Sequence, residues 1–459
     1  MQQKIQLLLT FTHSEPGEAH SSVVLRAESF AATDVDERPT PSPQLMEEVC
    51  QRANLQEALK RVQANRGSPG IDGMTVDELP GFLRDNWPSL REKLLNGTYR
   101  PQPVKRVSIP KPDGHGMRQL GIPTVLDRFI QQALLQILQR DWDSTFSSHS
   151  YGFRPGRSAH QAVAQAQRHI ADGFRWVIDM DLENFFDRVN HDRLMSRLAQ
   201  RVSDKRVLKL IRAFLNAGTM SGDVVTKSAE GTPQGGPLSP LLSNLVLDEL
   251  DRELERRGLR FVRFADDCNI YVRSRRAGER VMDRITRFIH HRLKLTVNEA
   301  KSAVARPWER KFLGFSFTPN RQPKRRIAPQ ALVRFKTRIR ALTRRTRGVS
   351  LERVIGDLRR YLRGWMAYFR FCETPSVLKE LDSWIRRRLR CFIWKQWRTS
   401  RRRFHSLRAL NVSREHALRA VRSQRGPWRM SGVSALVYAM PHQFFTQHGL
   451  IPLQSMAQV

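Results

Sequence analysis

Two adjacent aspartates, Asp266 and Asp267, stand at the tip of a segment that reads strand, tight turn, strand. Phe261-Val262-Arg263-Phe264 leads in and Cys268-Asn269-Ile270-Tyr271-Val272 leads out. β-Branched and aromatic residues on both sides of a short turn favour a hairpin. Carboxylates fixed on such a hairpin hold divalent cations beside a phosphate. An Asp-Asp pair at a turn is more often a solvated tip, so this chemistry needs partners elsewhere. One candidate is Trp176-Val177-Ile178-Asp179-Met180-Asp181, an apolar strand that ends in acids and is followed by Phe185 and Phe186. Period-two alternation puts Asp179 and Asp181 on one face, and spacing alone does not choose between them.

Three loops carry complementary groups. Lys111 and Arg118 flank a Pro/Gly/Asp turn between two short strands, where ammonium and guanidinium suit a dense anion such as a triphosphate. Tyr151-Gly152-Phe153-Arg154-Pro155-Gly156-Arg157 interleaves aromatic and basic side chains, a pattern that stacks on bases and clamps phosphates. Thr232-Pro233-Gln234-Gly235-Gly236-Pro237 is a glycine–proline loop ahead of a helix, and its glycines permit close backbone approach to a ligand. Two acidic strand ends converging on one sheet meet the requirement of two-metal nucleotidyl transfer, in which metals ~3.5–4 Å apart need carboxylates from separate strands.

The elements that must position these groups are legible in outline. Leu55, Ala58, Leu59 and Val62 mark a helix that stops at Asn65-Arg66-Gly67-Ser68-Pro69-Gly70. Thr75, with Glu78 three residues on, is expected to cap the next helix. Further helices are expected from Asp127 to Leu138, after Ser158, from Asp192 to Leu215, and near 278–293. Residues 1–43 mix polar and small residues and end in Arg38-Pro39-Thr40-Pro41-Ser42-Pro43, which suggests a flexible arm. Near residue 320 the composition turns Arg-rich and helical. Arg321–Arg326 reads as a linker, and Leu358, Tyr361, Leu362, Trp365 and Phe369 form one apolar stripe among arginines. The expected division is therefore 1–43, 44–320 and 321–459.

Across 459 residues, 79 Lys and Arg against 44 Asp and Glu give a net charge of +35. Such self-repulsion points to a polyanionic partner. No stretch approaches the ~20 apolar residues of a membrane span. Cys50, Cys268, Cys372 and Cys391 form no C-x-x-C pair, which argues against a zinc finger or disulfide framework and fits a reducing cytoplasm.

The ordered set of motifs resembles the reverse transcriptases encoded by bacterial group II introns, also called maturases. The matching stretches are Gly70-Ile71-Asp72-Gly73, Ile109-Pro110-Lys111-Pro112-Asp113-Gly114, Gly121-Ile122-Pro123, Tyr151-Gly152-Phe153-Arg154-Pro155, Asp181 with Phe185-Phe186-Asp187, residues 232–240, Phe264-Ala265-Asp266-Asp267, and Phe312-Leu313-Gly314-Phe315. Tyr361-Leu362-Arg363-Gly364-Trp365 looks like the family's thumb or maturase domain. The resemblance implies an α+β right-hand polymerase, with fingers, an antiparallel-sheet palm and a helical thumb. It implies RNA-directed DNA synthesis and binding of a group II intron RNA, with RNA template, DNA primer, deoxynucleoside triphosphates and target DNA as partners. The alternative is a maturase that binds intron RNA but has lost polymerase activity.

By the same resemblance, Asp181, Asp266 and Asp267 hold two Mg²⁺ ions. Lys111, Arg118 and Gln234 meet the nucleotide. Phe186 excludes a ribose 2′-hydroxyl, with Phe185 as the alternative. From the residue pattern of the aromatic–arginine loop and the basic helices, Arg154, Arg363, Arg386 and Arg387 are expected to contact nucleic acid. The chain departs from the family where Phe264 replaces the usual tyrosine, and the turn between Lys111 and Arg118 is one residue longer. No paired-cysteine endonuclease domain follows the thumb, which resembles the class C branch. A cytoplasmic, nucleoid-associated ribonucleoprotein is the expected setting.

Overall fold

A computed structural model describes residues 44–110, 116–221, 224–226, 230–232 and 235–457. The expected N-terminal arm, Lys111 and Gln234 lie outside the described residues. After a short helix, Leu45–Val49, come α1 (Arg52–Asn65) and α2 (Leu79–Leu95). α1 ends where Arg66 turns left-handed, at φ 44°. The start of α2 corrects the expected cap. Glu78 is the N-cap residue, while Thr75 donates its N–H and Oγ–H to the Glu78 carboxylate at 2.7 and 2.8 Å. Pro80 follows at the second helical position, a place in the first turn where its missing N–H costs nothing.

β1 (Val104–Pro110) and β2 (Met117–Ile122) pair antiparallel, from Lys105 opposite Ile122 to Pro110 opposite Met117. α3 (Val125–Trp142) is capped by Thr124, whose Oγ1 accepts from Asp127 N–H. Ser158 opens α4 (Ala159–Ala171) through a reciprocal capping box with Gln161, satisfying two donors at the helix start. β3 (Trp176–Met180), α5 (His191–Ala199), α6 (Lys205–Asn216), β4 (Thr219–Ser221), β5 (Val224–Thr226) and α7 (Ser239–Arg256) follow. Next come β6 (Arg260–Phe264), β7 (Asp267–Val272), α8 (Arg275–Phe288), β8 (Ala303–Ala305), β9 (Phe315–Phe317) and β10 (Arg325–Ile327). The C-terminal part is helical: α9 (Pro329–Leu342), α10 (Leu351–Phe369), α11 (Pro375–Gln396), then short helices as far as Ala457.

Among the described residues the strands form a fingers sheet, β2-β1-β4-β5, a palm sheet, β6-β7-β3-β8, and a small pair, β9-β10. The palm sheet is covered on both faces, and its sequence alternation shows how. Phe261, Ile178, Met180, Cys268 and Ile270 belong to one core with α3 and α7. Val177, Val262 and Tyr271 point the other way, into a core built with α4 and α9–α11. Period-two alternation sorts the side chains between these two cores.

The second core crosses residue 320, joining Tyr151 and Tyr271 to Phe335, Leu358 and Trp394. The expected linker at 321–326 is also corrected. Arg325 is already in β10, opposite Phe317, and ion-pairs with Glu373 at 2.9 Å. Its guanidinium lies 3.6 Å from the Phe371 ring centroid. The basic run is thus partly folded into sheet and stacking contacts.

Candidate active site

The register of the palm sheet brings the acids together. β3 and β7 are antiparallel neighbours, with Met180 opposite Cys268 and Asp179 opposite Asn269. The next position along each strand places Asp181 beside Asp267. β6 and β7 close through Phe264 opposite Asp267, leaving Ala265 and Asp266 as a two-residue turn with Ala265 at φ 58°. By alternation Asp179 and Asp181 share the face of Val177, and Asp267 shares that of Tyr271, so these three acids lie on the thumb side of the sheet.

The structure separates the two acids that spacing left equivalent. Asp179 is half-buried and engaged by Arg310, whose Nη2 lies 2.7 Å from its carboxylate. Asp181 sits just past the strand end. Its N–H donates to Ser302 Oγ at 3.0 Å, and its carbonyl accepts from Asn298 N–H at 2.8 Å. Lys301 Nζ lies 3.4 Å from its carboxylate.

The electrostatics follow from crowding. Burial pushes the Asp266 carboxyl up, and Asp181 adds to that, while Arg118 and Arg263 oppose it. Asp267 keeps a water-exposed edge, yet the cleft walls around it and the carboxylates of Asp266, Asp179 and Asp181 push it up to about 7. These are hard oxygen donors whose repulsion a divalent cation would relieve, and a bound ion inverts such shifts. Lys301 already places a cation against Asp181. Among the described residues, no three His, Cys, Asp or Glu side chains stand gathered around one point. The donor chemistry fits a hard divalent cation, and the side chains would have to close on it.

The turn is held from below by a group that motif reading passed over. Arg263 has 0% exposure, and its Nε and Nη2 donate to Asp251 at 2.7 and 2.5 Å. Nη1 also reaches Asn244 Oδ1 (3.0 Å) and the Ala265 carbonyl (2.9 Å), and Nη2 reaches Ser150 Oγ (2.8 Å). The signal was an arginine inside a strand with apolar neighbours, since buried charges require partners. Lys301, Arg310 and Lys311 were likewise not singled out as neighbours of the acids.

The remaining residues fall as follows. Arg118 is exposed on β2 and near enough to lower the Asp266 carboxyl. Phe186 is buried at 9% exposure and packs edge-on against Phe185, itself at 2%, with centroids 5.2 Å apart. Arg154 requires correction. It is buried at 8%, ion-paired to Asp143 at 2.9 Å, and donates to the carbonyls of Ser147 and Ser150. Its guanidinium braces the loop from inside. Arg363 is exposed on α10. Arg386 is half-buried, and Arg387 lies 4.3 Å from the Trp428 ring centroid.

Residues 109–317 match the family model for reverse transcriptase (RNA-dependent DNA polymerase), and residues 332–410 match that for the group II intron maturase-specific domain. Protein YkfC of Escherichia coli is 39% identical over 237 residues, covering 50% of this chain and 61% of that protein. The group II intron-encoded protein LtrA of Lactococcus lactis is 35% identical over 254 residues, covering 55% of this chain and 41% of LtrA. The match thus spans about three-fifths and two-fifths of these relatives' lengths. With its palm sheet and helical C-terminal part, the chain has the reverse-transcriptase fold, and its match to the reverse-transcriptase model is followed along the chain by its match to the group II intron maturase-specific model.

Proposed function

We propose that this protein is an RNA-directed DNA polymerase that also binds a group II intron RNA and assists its splicing and retrotransposition. The observation that carries the polymerase reading is the β3–β7 register, which sets Asp181 beside the Asp266–Asp267 turn at one end of the palm sheet. Asp181, Asp266 and Asp267 would hold two Mg²⁺ ions, which when bound activate the primer 3′-hydroxyl and carry the charge of the departing pyrophosphate. Lys111 and Arg118 counter the triphosphate charge, and Gln234 meets the incoming deoxynucleotide. Phe186 bars a ribose 2′-hydroxyl.

Arg363, Arg386 and Arg387 meet phosphates of intron RNA, template–primer or target DNA. Support for Arg386 and Arg387 comes from the charge distribution: no acidic residue lies between Asp382 and Glu415. A basic stretch of this kind binds phosphates by releasing counterions. We place the protein nearest the class C branch of this family. Double-stranded target DNA should then keep its second strand intact, and cleavage of that strand would refute this placement. A cytoplasmic, nucleoid-associated setting accords with this reading. Among the described residues no helix is long and apolar enough to cross a membrane.

Primer extension tests the reading. The full chain is supplied with a DNA primer on an RNA template, Mg²⁺, and either deoxy- or ribonucleotides. Extension with deoxynucleotides alone, abolished in Asp266→Asn/Asp267→Asn and by chelation, is expected. Absence of extension by the native chain would overturn the polymerase reading, and efficient ribonucleotide use would overturn the role of Phe186.

A further inference from the structure

We propose that Phe153 is a base-stacking residue of the template–primer site, held outward beside the Asp266–Asp267 turn at a cost in backbone strain. This rests on the polymerase reading for its ligand. Phe153 has φ 60°, a left-handed conformation that a bulky aromatic residue rarely takes. The residue is 38% exposed. Among the described residues, no ring contact or cation stack involves it. Strained side chains of this kind cluster at ligand sites, where the surrounding structure over-determines them.

That surrounding structure is complete on both sides of the residue. Before it, Tyr151 is buried in the thumb-side core and its N–H donates to the Arg263 carbonyl at 2.9 Å. Gly152 lies against the catalytic turn, where a Cβ would overlap Ala265 N and stand 2.9 Å from Phe264 C. Asn244 Nδ2 donates to the Gly152 carbonyl at 2.9 Å. Gln139 Nε2 donates to the Phe153 carbonyl itself. After it, the buried Arg154 fixes the loop through Asp143, Ser147 and Ser150.

The chain then enters α4, whose His160 Nε2 meets the Tyr368 carbonyl of thumb helix α10 at 2.7 Å. The loop therefore runs along the rim from the catalytic turn to the thumb, and Phe153 is its outward aromatic group. Arg157, farther along the same loop and stacked on Tyr151, adds positive charge. An exposed aromatic ring in a loop that also carries a cation and lies against the carboxylate turn suits a nucleobase, whose face stacks and whose phosphate is anionic.

The test uses the full chain and a DNA primer annealed to an RNA template. In separate duplexes, 2-aminopurine sits at the primer terminus or at the first unpaired template position. The variants are Phe153→Tyr, Phe153→Ala and Phe153→Gly. Native protein and Phe153→Tyr should quench one of the two probes on binding, and Ala and Gly variants should not. KM for template–primer should rise about tenfold in both of these, with kcat changed by less than about threefold. Thermal melting separates strain from contact: Phe153→Gly should melt about 1–3 °C above Phe153→Ala, since only glycine relaxes the left-handed backbone.

Equal KM and equal quenching in native, Ala and Gly proteins would overturn the proposal, even with primer extension intact. Quenching that depends on the ring would support it even if no extension occurred. The two readings therefore fail separately.

Discussion

Replacing Arg263 by methionine should cost this protein about 3–5 kcal/mol of stability, because breaking a buried pair strands the remaining charge. Arg263 and Asp251 each have 0% exposure, so the carboxylate left behind has no water to turn to. Asn244 Oδ1 and the Ala265 carbonyl lose their donors at the same time. Against a typical total of about 5–15 kcal/mol, such a loss is severe. The double variant Arg263→Met/Asp251→Leu removes both charges and should recover most of the loss, since apolar replacement of a buried pair is often neutral. It should not recover activity. The Ala265 carbonyl still lacks the guanidinium that held it at 2.9 Å, so the turn carrying Asp266 and Asp267 loosens. Single-turnover primer extension should slow by about tenfold or more, the scale expected when reacting groups are slightly misplaced. Urea midpoints at unchanged m-value report stability, and single-turnover rates report the turn. A single variant losing under about 1 kcal/mol, or a double variant no more stable than the single, would refute the buried-pair reasoning. A double variant with the native rate would show that Arg263 does not hold the turn.

Other outcomes follow from the same structure. His169 is 2% exposed, and burial holds its pKa down, from 6.5 to about 4. The unfolded chain therefore takes up a proton below pH 6.5 that the fold refuses until about pH 4. This contribution to stability is whole above pH 6.5 and falls across that window, by up to about 3 kcal/mol at ~1.4 per pH unit. His169→Gln should flatten that part of a pH–stability curve, and an unchanged slope would count against it. Arg154→Ala should lower stability by about 2–3 kcal/mol while leaving the salt dependence of RNA binding unchanged. Arg363→Ala should do the reverse, reducing the salt slope by about one with little change in melting. Gly152→Ala should lose about 1–3 kcal/mol and slow primer extension, because its new Cβ meets the backbone of Ala265 and Phe264, which cannot yield as a side chain would. Native melting and native rates together would exclude the close packing.

What was legible in the sequence was what is local. The strand–turn–strand around Asp266 and the helix opening after Ser158 are each decided within a few residues, and each formed as expected, although Asp267 already belongs to β7. What was not legible depended on distant partners. Asp179 and Asp181 share a face by alternation, and Arg310, 131 positions beyond Asp179, is what distinguishes them. Arg154 reads as a nucleic-acid clamp until Asp143 and two loop carbonyls are seen to occupy it. Thr75 fits a capping box by spacing, yet the helix begins after Glu78, and the same two side chains bond in a turn instead. Arg325 was read with a loose basic run, but Glu373 and the Phe371 ring fold it into β10.

The cations around the acids divide into two kinds, and the division bears on how such a site works. Four carboxylates crowded at one sheet end repel one another, and Asp267 carries the consequence most plainly. Lys301 and Arg310 answer from the accessible side, with side-chain exposures of 61% and 31%, so water and an arriving cation can compete for their carboxylates. Arg263 answers from beneath. It lowers the Asp266 carboxyl without touching it, because its donors are committed to Asp251, Asn244, Ser150 and the Ala265 carbonyl. A cation placed against the carboxylates would have to leave before a divalent ion could bind. One buried under the turn holds the backbone that carries Asp266, leaves the acids' oxygens available, and stays in place while the side chains close on an ion.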